Sequence, residues 1–322
     1  MIDRQEVFVE ASARLHFGVL DLRGAHGRWF GGIGAAAPGP TLLVSGTPAD
    51  ALETEGEDTA RAAEYAKRFM AYHRVEGGVR LRVHRALPQH SGLGSGTQLA
   101  LAVSRVIAEL YGIESDAPAL ARASGRARRS AVGTWTFAGG GLVVEGGRRR
   151  GRDDCGPLLA RLPFPASWRC VVAVPYSPPG VSGSDEEAAF EALPSPSEHD
   201  VEHVAHLVLM TLLPAVADAD IDTFGAALTE IQEVTGRWFA AVQGGTFAPG
   251  SEAVLRTMRD FGASGVGQSS WGPAVYGVVD GADAGARLAD LVRGVSDHPC
   301  AVYEGAFPNY GARTRHEVHE SV

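Results

Sequence analysis

The pattern of hydrophobic and polar residues along the chain predicts a mixture of strands and helices. Alternating or continuously apolar short segments predict strands over residues 7–22 (two strands in a hairpin-like start that breaks at Gly18), 31–37, 41–46, 79–87, 135–144, 171–175, 274–279 and 301–304. Apolar residues at helical spacing predict helices over residues 54–73, 99–111, 117–128, 200–217, 222–243, 251–261 and 282–293. The polar tail after Gly311 is expected to fray. Strands and helices are mixed in both halves without a regular βαβ repeat, so we expect an α+β fold.

Length and composition indicate two domains. The chain has 322 residues, and its hydrophobic fraction of 45% is enough for a full core. Residues 162–168 contain Pro163 and Pro165 and are typical of a linker. We therefore place one domain at residues 1–165 and the second at residues 166–322.

The net charge of -9 argues against a general binder of nucleic acids or membrane surfaces, which needs a basic face. Lys67 is the only lysine, so the positive charge is almost all arginine, whose planar fork suits carboxylates and phosphates. The basic segment 148–152 is interpreted as a solvated hairpin tip. The cysteines at 155, 170 and 300 have neither zinc-site spacing nor a disulfide framework.

No signal region and no apolar run of transmembrane length is evident in the sequence. We expect a cytoplasmic protein that acts on small molecules, without nucleic-acid or membrane partners, and that forms a homodimer.

The most informative segment, residues 88–98, joins a predicted strand to a long apolar helix. It reads Pro-Gln-His-Ser-Gly-Leu-Gly-Ser-Gly-Thr-Gln. Glycines let backbone N–H groups approach a ligand, and the helix start adds unpaired N–H groups and its positive dipole end. The segment is therefore a candidate site for phosphate or diphosphate, although glycine-rich turns also serve as plain connectors.

A second glycine cluster, residues 262–273, lies between a predicted helix and a predicted strand. Gln268, Ser269 and Ser270 offer neutral hydrogen-bonding groups, and Trp271 offers an aromatic face. A ligand site and a tight turn with a half-buried tryptophan both fit this cluster.

Together these segments resemble those of the GHMP kinase superfamily. Residues 88–95 resemble its phosphate-binding motif, residues 265–267 its C-terminal glycine motif, and residues 14–18 occupy the place of its first motif. Within the superfamily, the chain resembles the β-ribofuranosylaminobenzene 5′-phosphate synthases over residues 14–22, 91–98, 129–134, 179–183 and 267–273.

The resemblance implies a GHMP-type two-domain fold, with an N-terminal domain like the ribosomal S5 domain 2 and a ferredoxin-like C-terminal domain. It implies a transferase that condenses 5-phosphoribosyl diphosphate with 4-aminobenzoate, releases CO2 and diphosphate, and serves methanopterin biosynthesis. It also implies Mg2+ as cofactor.

One departure separates this chain from the kinases of the superfamily. They carry a catalytic aspartate in the segment after the phosphate helix, whereas residues 130–135 here contain no carboxylate and the next acidic residue is Glu145. A kinase uses such a carboxylate to orient the substrate hydroxyl. An ATP-dependent GHMP-type small-molecule kinase is thus the alternative, and a non-catalytic regulator that binds a phosphorylated metabolite is a third possibility.

The resemblance and the chemistry of the side chains assign candidate roles. For diphosphate and its surroundings the candidates are Ser91, Gly92, Gly94, Ser95, Gly96, Thr97, Gln98 and His90, and for ribose or phosphate oxygens Gly267, Gln268, Ser269 and Ser270. Asp21 is the candidate ligand of Mg2+ or of a ribose hydroxyl, or else an aspartate of a strand-end turn.

Arg14 or Arg129 is expected to hold the benzoate carboxylate or the 5-phosphate. His16 is either a donor to phosphate or a satisfied core histidine, and Trp271 either stacks on the acceptor ring or packs in the core.

Two further clusters are given structural readings. Residues 184–187, Ser-Asp-Glu-Glu, are interpreted as a capped acidic helix start rather than a metal site. His199, His203 and His206 recur at helical spacing, but a metal site would need a further ligand on the same face.

Overall fold

The structure is a computed structural model that describes residues 4–152, 154–175, 192–295 and 300–319. Within these ranges two sheets are covered by helices. The predicted segments 179–183 and 184–187 lie outside the described residues.

The larger sheet has eight strands. They are β1 (Arg4–Asp21), β2 (Arg28–Ala49), β3 (Glu53–Gly56), β4 (Gly78–Arg85), β5 (Leu142–Glu145), β6 (Arg148–Arg149), β7 (Leu158–Leu162) and β12 (Arg313–His319). The main path is β12-β1-β2-β4-β3, with β5 and β6 pairing with other parts of the long strand β2 and β7 pairing with β5. Only β3 and β4 pair in parallel within this described sheet.

The expected pair of strands over residues 7–22 is instead one long strand, β1. The sequence break at Gly18 is a register shift between His16 and Gly18 against β2. Gly18 is also a close-packing position, because a Cβ there would lie 2.9 Å from Ile231 Cγ2. At the register shift β1 therefore packs closely against the helix that contains Ile231.

The tail after Gly311, expected to fray, forms β12 and pairs with β1. Its polar composition is that of an edge strand whose side chains face water, since most of them are exposed. Polarity alone did not distinguish such a strand from a frayed end.

Four helices pack with the larger sheet: α1 (Thr59–His73), α2 (Ser95–Leu110), α3 (Ala117–Ala123) and α4 (Val132–Gly139). Helix α2 is buried along most of its length and contacts both β1 and β2. It is the helix that the apolar segment after the first glycine turn predicts.

The expected bent strand over residues 135–144 is wrong in its first half. Residues 132–139 form α4, and the strand β5 begins only at Leu142. A short, continuously apolar run fits a buried helix as well as a buried strand, so the pattern could not distinguish them. The helix ends where Gly140 and Gly141 adopt positive φ angles of 64° and 69°.

The smaller sheet has the order β11-β8-β10-β9. Its strands are β8 (Trp168–Pro175), β9 (Gly265–Gln268), β10 (Val275–Asp280) and β11 (Cys300–Ala306), all paired antiparallel. The helices of this half are α5 (Glu198–Leu207), a π-helical turn (Val208–Leu212), α6 (Leu213–Ala217), α7 (Ile221–Gln243), α8 (Glu252–Phe261) and α9 (Ala282–Arg293).

The helical stretch Glu198–Ala217 is, against expectation, long and apolar enough by length and composition to cross a membrane, with a mean hydropathy of 1.3. Its apolar side chains Val204, Leu207, Val208 and Leu212 are buried in the core, and the stretch contacts α7. Leu209 and Met210 are exposed, so the stretch is only partly buried, and a single such stretch is weak evidence for a membrane span.

The division at residues 165 and 166 falls between β7 and β8, but the final strand returns to the larger sheet. The main hydrophobic core also joins side chains from both halves, among them Phe164, Trp168 and Phe224. The domain boundary stays a prediction.

Candidate active site

A cavity of about 1320 Å³ lies where the first glycine turn, β1, and the second glycine segment meet. Most of the candidate residues line it: Arg14, His16, His90, Ser91, Gly92, Gly94, Ser95, Gly96, Thr97, Arg129, Gln268, Ser270 and Trp271. The fold thus brings together three segments that are far apart in the sequence.

The glycine turn delivers the start of α2 to this cavity. Gly92 and Gly94 have φ angles of 79° and 76°, which glycine adopts without a Cβ clash. Gly94 precedes the helix, and its carbonyl accepts the N–H groups of Thr97 and Gln98 at 3.0 Å each. Among the described residues no acceptor is present for the N–H groups of Ser95 and Gly96, as expected at a helix start. These two amides are therefore available to an anion.

The second glycine segment holds the turn in place. The Ser269 hydroxyl donates to the Gly92 carbonyl at 2.6 Å, and the Ala274 amide donates to the Ser91 carbonyl at 3.1 Å. A Cβ on Gly92 would overlap the Ser269 carbonyl, so the two segments touch backbone to backbone. Ser269 is fully buried and braces the turn, and its role as a direct ligand stays a prediction.

Strand β1 braces the turn from the other side. The Arg14 amide donates to the Leu93 carbonyl at 3.0 Å, and the Arg14 guanidinium donates to the Gly92 carbonyl at 2.6 Å. The His16 amide donates to the Ser269 hydroxyl at 2.9 Å. Part of the Arg14 fork is thus used inside the protein, although the side chain still lines the cavity.

His16 contributes a neutral ring to the cavity wall. Its Nε2 lies 3.2 Å from the Ser130 hydroxyl, and only 7% of the residue is exposed. Burial, assisted by the charge of Arg14, lowers the pKa of His16 to about 3. The imidazole is therefore uncharged at neutral pH in the ligand-free site, and its role as a donor to phosphate stays a prediction.

Arginines beside the start of α2 add the positive charge. Arg126 donates to the Thr97 hydroxyl at 3.2 Å, and Arg61, paired with Asp58, donates to the Ser95 hydroxyl at 3.4 Å. A Cβ on Gly96 would lie 3.3 Å from an Arg126 nitrogen and 3.6 Å from an Arg61 nitrogen. Both guanidinium groups therefore flank the two available amides.

Arg61 and Arg126 are not among the residues predicted from the sequence, although the sequence contains signals for both. Arg61, Tyr65 and Arg68 recur at helical spacing on one face of α1, and all three line the cavity. Arg126 belongs to a short arginine-rich run that also contains Arg129, the only member considered from the sequence.

The described cavity wall is strongly cationic. Its arginines are Arg14, Arg23, Arg61, Arg68, Arg126, Arg128, Arg129 and Arg148, and no aspartate or glutamate is among the described lining residues. Such a wall fits a ligand with several negative charges. It does not by itself provide carboxylate oxygens for Mg2+.

Asp21 lies outside this described lining. Its carboxylate accepts the N–H groups of Arg23 at 2.6 Å and of Gly24 at 3.0 Å. The turn that it stabilises presents Arg23 to the cavity, and Arg23 also pairs with Glu198 at 3.7 Å. This geometry corresponds to the alternative of a strand-end turn aspartate, and the metal role stays a prediction without support from these contacts.

Three other candidates act within the protein framework. The Gln98 amide donates to the Gly133 carbonyl at 3.0 Å. Gln268 accepts the Ala248 amide at 2.6 Å and donates to the Ser270 carbonyl at 3.0 Å. A Cβ on Gly267 would overlap the Tyr276 hydroxyl, so this glycine permits packing. Their roles as direct ligands stay predictions.

The basic segment 148–152, expected to be a solvated tip, sends one side chain into the cavity. Arg148 of β6 lines it, with its guanidinium 5.6 Å from the centre of the Phe30 ring. Phe30 also lines the cavity and has a positive φ of 69°, an unusual conformation for an aromatic residue. Neighbouring side chains of a strand point to opposite faces, so in β6 only Arg148 faces the cavity. A run of arginines in the sequence does not show which of them does so.

Trp271 also lines the cavity and packs edge-on against Phe239, with ring centres 4.8 Å apart. The histidine series stays outside this wall, and His203 pairs with Glu230 at 2.6 Å. No metal-binding cluster of histidine, cysteine and acidic residues is present among the described residues.

Comparison with known proteins identifies similar sequences and folds. The family model described as GHMP kinases N terminal domain matches residues 59–140, and that described as GHMP kinases C terminal matches residues 212–294. The chain is similar to the β-ribofuranosylphenol 5′-phosphate synthase of Methanothermobacter thermautotrophicus, with 33% identity over 296 residues covering 85% of this chain and 89% of that protein. The protein of the same name from Archaeoglobus fulgidus is 36% identical over 281 residues, covering 83% and 86%.

Among solved structures, the homoserine kinase from Cytophaga hutchinsonii has a TM-score of 0.71 at 17% identity and covers 98% of both chains. The Lactococcus lactis galactokinase complexed with galactose has a TM-score of 0.67 at 12% identity, covering 96% of this chain and 95% of that one. These likenesses confirm the expected GHMP-type α+β fold.

Proposed function

The chain belongs to the family of the β-ribofuranosylphenol 5′-phosphate synthases, with GHMP-type domains, and from this premise we propose that it is a phosphoribosyl-transferring synthase. It condenses 5-phosphoribosyl diphosphate with 4-aminobenzoate, releases CO2 and diphosphate, and serves methanopterin biosynthesis. The observation that carries the proposal is the set of available amides at the start of α2, flanked by Arg61 and Arg126 in a cavity with eight arginines. Such a wall suits two substrates of which one carries a diphosphate and a phosphate and the other a carboxylate.

The name of the relatives favours a second acceptor. It specifies a phenol as product, whereas the resemblance of the sequence implies an aminobenzene. The analogue of 4-aminobenzoate that has a hydroxyl in place of the amino group would give the phenol. The amino group of the first acceptor and the hydroxyl group of the second both donate electrons to the ring carbon that bears the carboxylate. Both benzoates therefore fit the same reaction.

The first task of the site is to stabilise the leaving group. In this proposal the N–H groups of Ser95 and Gly96 and the Arg61 and Arg126 guanidinium groups bind the diphosphate. When the bond between C1 of the ribose and oxygen breaks, the electron pair leaves with the diphosphate. Fixed amides and guanidinium groups stabilise that charge without having to reorganise.

Carbon–carbon bond formation then needs no general base. The ring carbon that bears the carboxylate supplies an electron pair to C1, and loss of CO2 returns an electron pair to the ring. Since no proton is removed from that carbon, a site without a basic carboxylate suffices. A neutral His16 suits a centre that becomes positive, because a cationic imidazole would repel it.

Arg14 or Arg129, which both line the cavity, is the residue that we propose for the benzoate carboxylate. Trp271 offers a face for the acceptor ring beside Phe239. The site would then exclude water and hold both reactants close together, which is worth a large rate factor in itself.

Magnesium does not fit as a resident metal of the described cavity wall, which has no carboxylate. We propose that Mg2+ enters with the substrate, held by the oxygens of its diphosphate. No step above depends on a metal held by the protein.

A GHMP-type kinase is the alternative. It would need a group that receives or orients the proton of the substrate hydroxyl, and no carboxylate of the described cavity wall does so. The proposal therefore favours the synthase. A regulator without activity would bind phosphoribosyl diphosphate and turn over nothing.

One experiment distinguishes the three functions. Purified protein with Mg2+ is incubated with 5-phosphoribosyl diphosphate and carboxyl-labelled 4-aminobenzoate or its hydroxylated analogue, and released CO2 is counted. A parallel arm measures ATP consumption with alcohols and phosphorylated acceptors. CO2 release that needs both substrates supports the synthase, whereas ATP turnover without CO2 release, or binding without any turnover, contradicts it.

The cellular place and assembly are part of the proposal. We propose that the enzyme works in the cytoplasm, and the homodimer expected from the sequence stays a prediction. Light scattering coupled to size-exclusion chromatography would measure the mass of the assembly.

A further inference from the structure

Glu145 is a buried carboxylate that no step of the reaction uses. It ends β5, it is 0% exposed, and its two oxygens accept two different backbone amides. Oε1 accepts from Ala131 at 3.1 Å, and Oε2 accepts from Gly147 at 2.8 Å. Ala131 and Gly147 belong to two separate segments of the chain, and Glu145 joins them.

Two glycines leave room for this carboxylate. A Cβ on Gly32 would lie 2.9 Å from Glu145 Oε1, and a Cβ on Gly156 would overlap Oε2. The carboxylate is therefore enclosed by backbone on both sides. Burying a charge is costly unless hydrogen bonds compensate it, so a position shaped in this way indicates a specific task.

Each amide that Glu145 binds is next to a residue of the cavity wall. Ala131 follows Ser130, whose hydroxyl lies 3.2 Å from His16 Nε2, and Gly147 precedes Arg148. A Cβ on Gly32 would lie close both to Glu145 Oε1 and, at 3.1 Å, to the Ser130 hydroxyl. The carboxylate therefore lies directly behind this part of the cavity wall. Both flanking residues face the reactants in the function proposed above.

We propose that Glu145 is a positioning residue, which in its ionised form fixes Ser130 and Arg148 in the cavity wall by clamping the amides next to them. The inference rests on the proposed function for its kinetic readout. It needs the carboxylate form, because protonation removes the charge that strengthens both amide hydrogen bonds and leaves one oxygen as a hydroxyl, which is a much weaker acceptor for the amide that it faces.

Few charged groups face Glu145. The charge of Arg28 on β2 favours the carboxylate, and the thiol of Cys155 is held neutral because burial, assisted by the charge of Glu145, raises the pKa of Cys155 to about 12. Burial raises the pKa of Glu145 itself to about 7. The hydrogen bonds from the two amides act in the opposite direction, because they favour the ionised form. The clamp should therefore weaken as the pH falls through about 7.

The test compares wild type, Glu145→Gln and the control Glu53→Gln. Glu53 lies on β3, where it is half-exposed and paired with Arg80. A glutamine at 145 offers one acceptor oxygen and turns its NH2 group toward the other amide, so one side of the clamp is lost. We expect kcat to fall by about 10- to 100-fold, since small misplacements of reacting groups have effects of this size. The control keeps wild-type kinetics.

The pH profile separates positioning from a merely structural role. Wild-type kcat should decrease below pH about 7, and the Glu145→Gln profile should lack that decrease. Identical profiles, or an unchanged kcat, would overturn the proposal.

A second measurement does not need activity. Amide hydrogen exchange of the wild type is measured at pH 5.5 and 8.5 and corrected for intrinsic rates. The amides of Ala131 and Gly147 should lose their protection at the lower pH, whereas the amide of Val143 should keep it. Equal protection of the two amides at both pH values would refute the clamp even if Glu145→Gln does not fold. If the wild type releases no CO2 but shows this exchange pattern, the proposed function fails and the clamp stands.

Discussion

Replacing Ser269 with alanine tests whether the two glycine segments act as one structure. The serine hydroxyl donates to the Gly92 carbonyl and accepts the His16 amide, and the residue is fully buried. In the variant Gly92 keeps the Arg14 guanidinium as donor, but the His16 amide loses its acceptor. A buried unsatisfied group costs about 1–3 kcal/mol and a neutral hydrogen bond about 1 kcal/mol, so unfolding should become easier by about 2–4 kcal/mol.

The same change should loosen the glycine turn in front of the diphosphate. We expect kcat/KM for 5-phosphoribosyl diphosphate to fall by about 10- to 100-fold, because the turn sets the position of the leaving group. The assays are urea unfolding followed by circular dichroism, and initial rates of CO2 release with each substrate varied. Ser264→Ala is the matched control, since among the described residues its hydroxyl has only the exposed Asp222 as a hydrogen-bond partner. Wild-type stability and kinetics in Ser269→Ala would refute the reasoning.

Three further changes test other parts of the site. Gly92→Ala should destabilise the fold far more than Gly151→Ala, measured by urea unfolding, because both residues have positive φ but a Cβ meets backbone only at Gly92; equal losses would contradict this. Arg126→Gln should raise KM for 5-phosphoribosyl diphosphate about tenfold, whereas the exposed Arg122→Gln should not, since only Arg126 contacts the start of α2; a similar effect of both would show a general charge effect. Because His16 has a lowered pKa of about 3 when folded and 6.5 as a reference, its contribution to stability is present above pH 6.5 and is lost as the pH falls toward 3. The free energy of unfolding, measured at pH 5 and pH 7.5, should therefore differ less between the two pH values in His16→Asn than in the wild type. The same difference in both proteins would argue against a buried neutral ring.

Sequence patterns predicted the elements that carry the site, because their signals are local. The glycine turn before α2 and the second glycine cluster mark places where the chain packs closely, and the structure places the two in contact through the hydrogen bond from Ser269 to Gly92. The helix over residues 282–293 has the predicted bounds, since its apolar spacing is regular.

Other features depend on distant contacts that no local pattern contains. The tail after Gly311 becomes a strand only because β1 has a free edge beside it. Arg148 resembles a solvated charge in sequence, and it faces the cavity because β6 pairs with β2. Asp21 was singled out for its charge, but its oxygen is used by two amides of its own turn.

The central claim is that the start of α2 receives the diphosphate of the substrate. A crystal structure of the protein with inorganic diphosphate and 4-aminobenzoate, which cannot react with each other, tests this most directly. The account predicts diphosphate oxygens within hydrogen-bonding distance of the Ser95 and Gly96 amides, with Arg61 and Arg126 beside them. Diphosphate bound elsewhere in the cavity, with those two amides left to water, would contradict it.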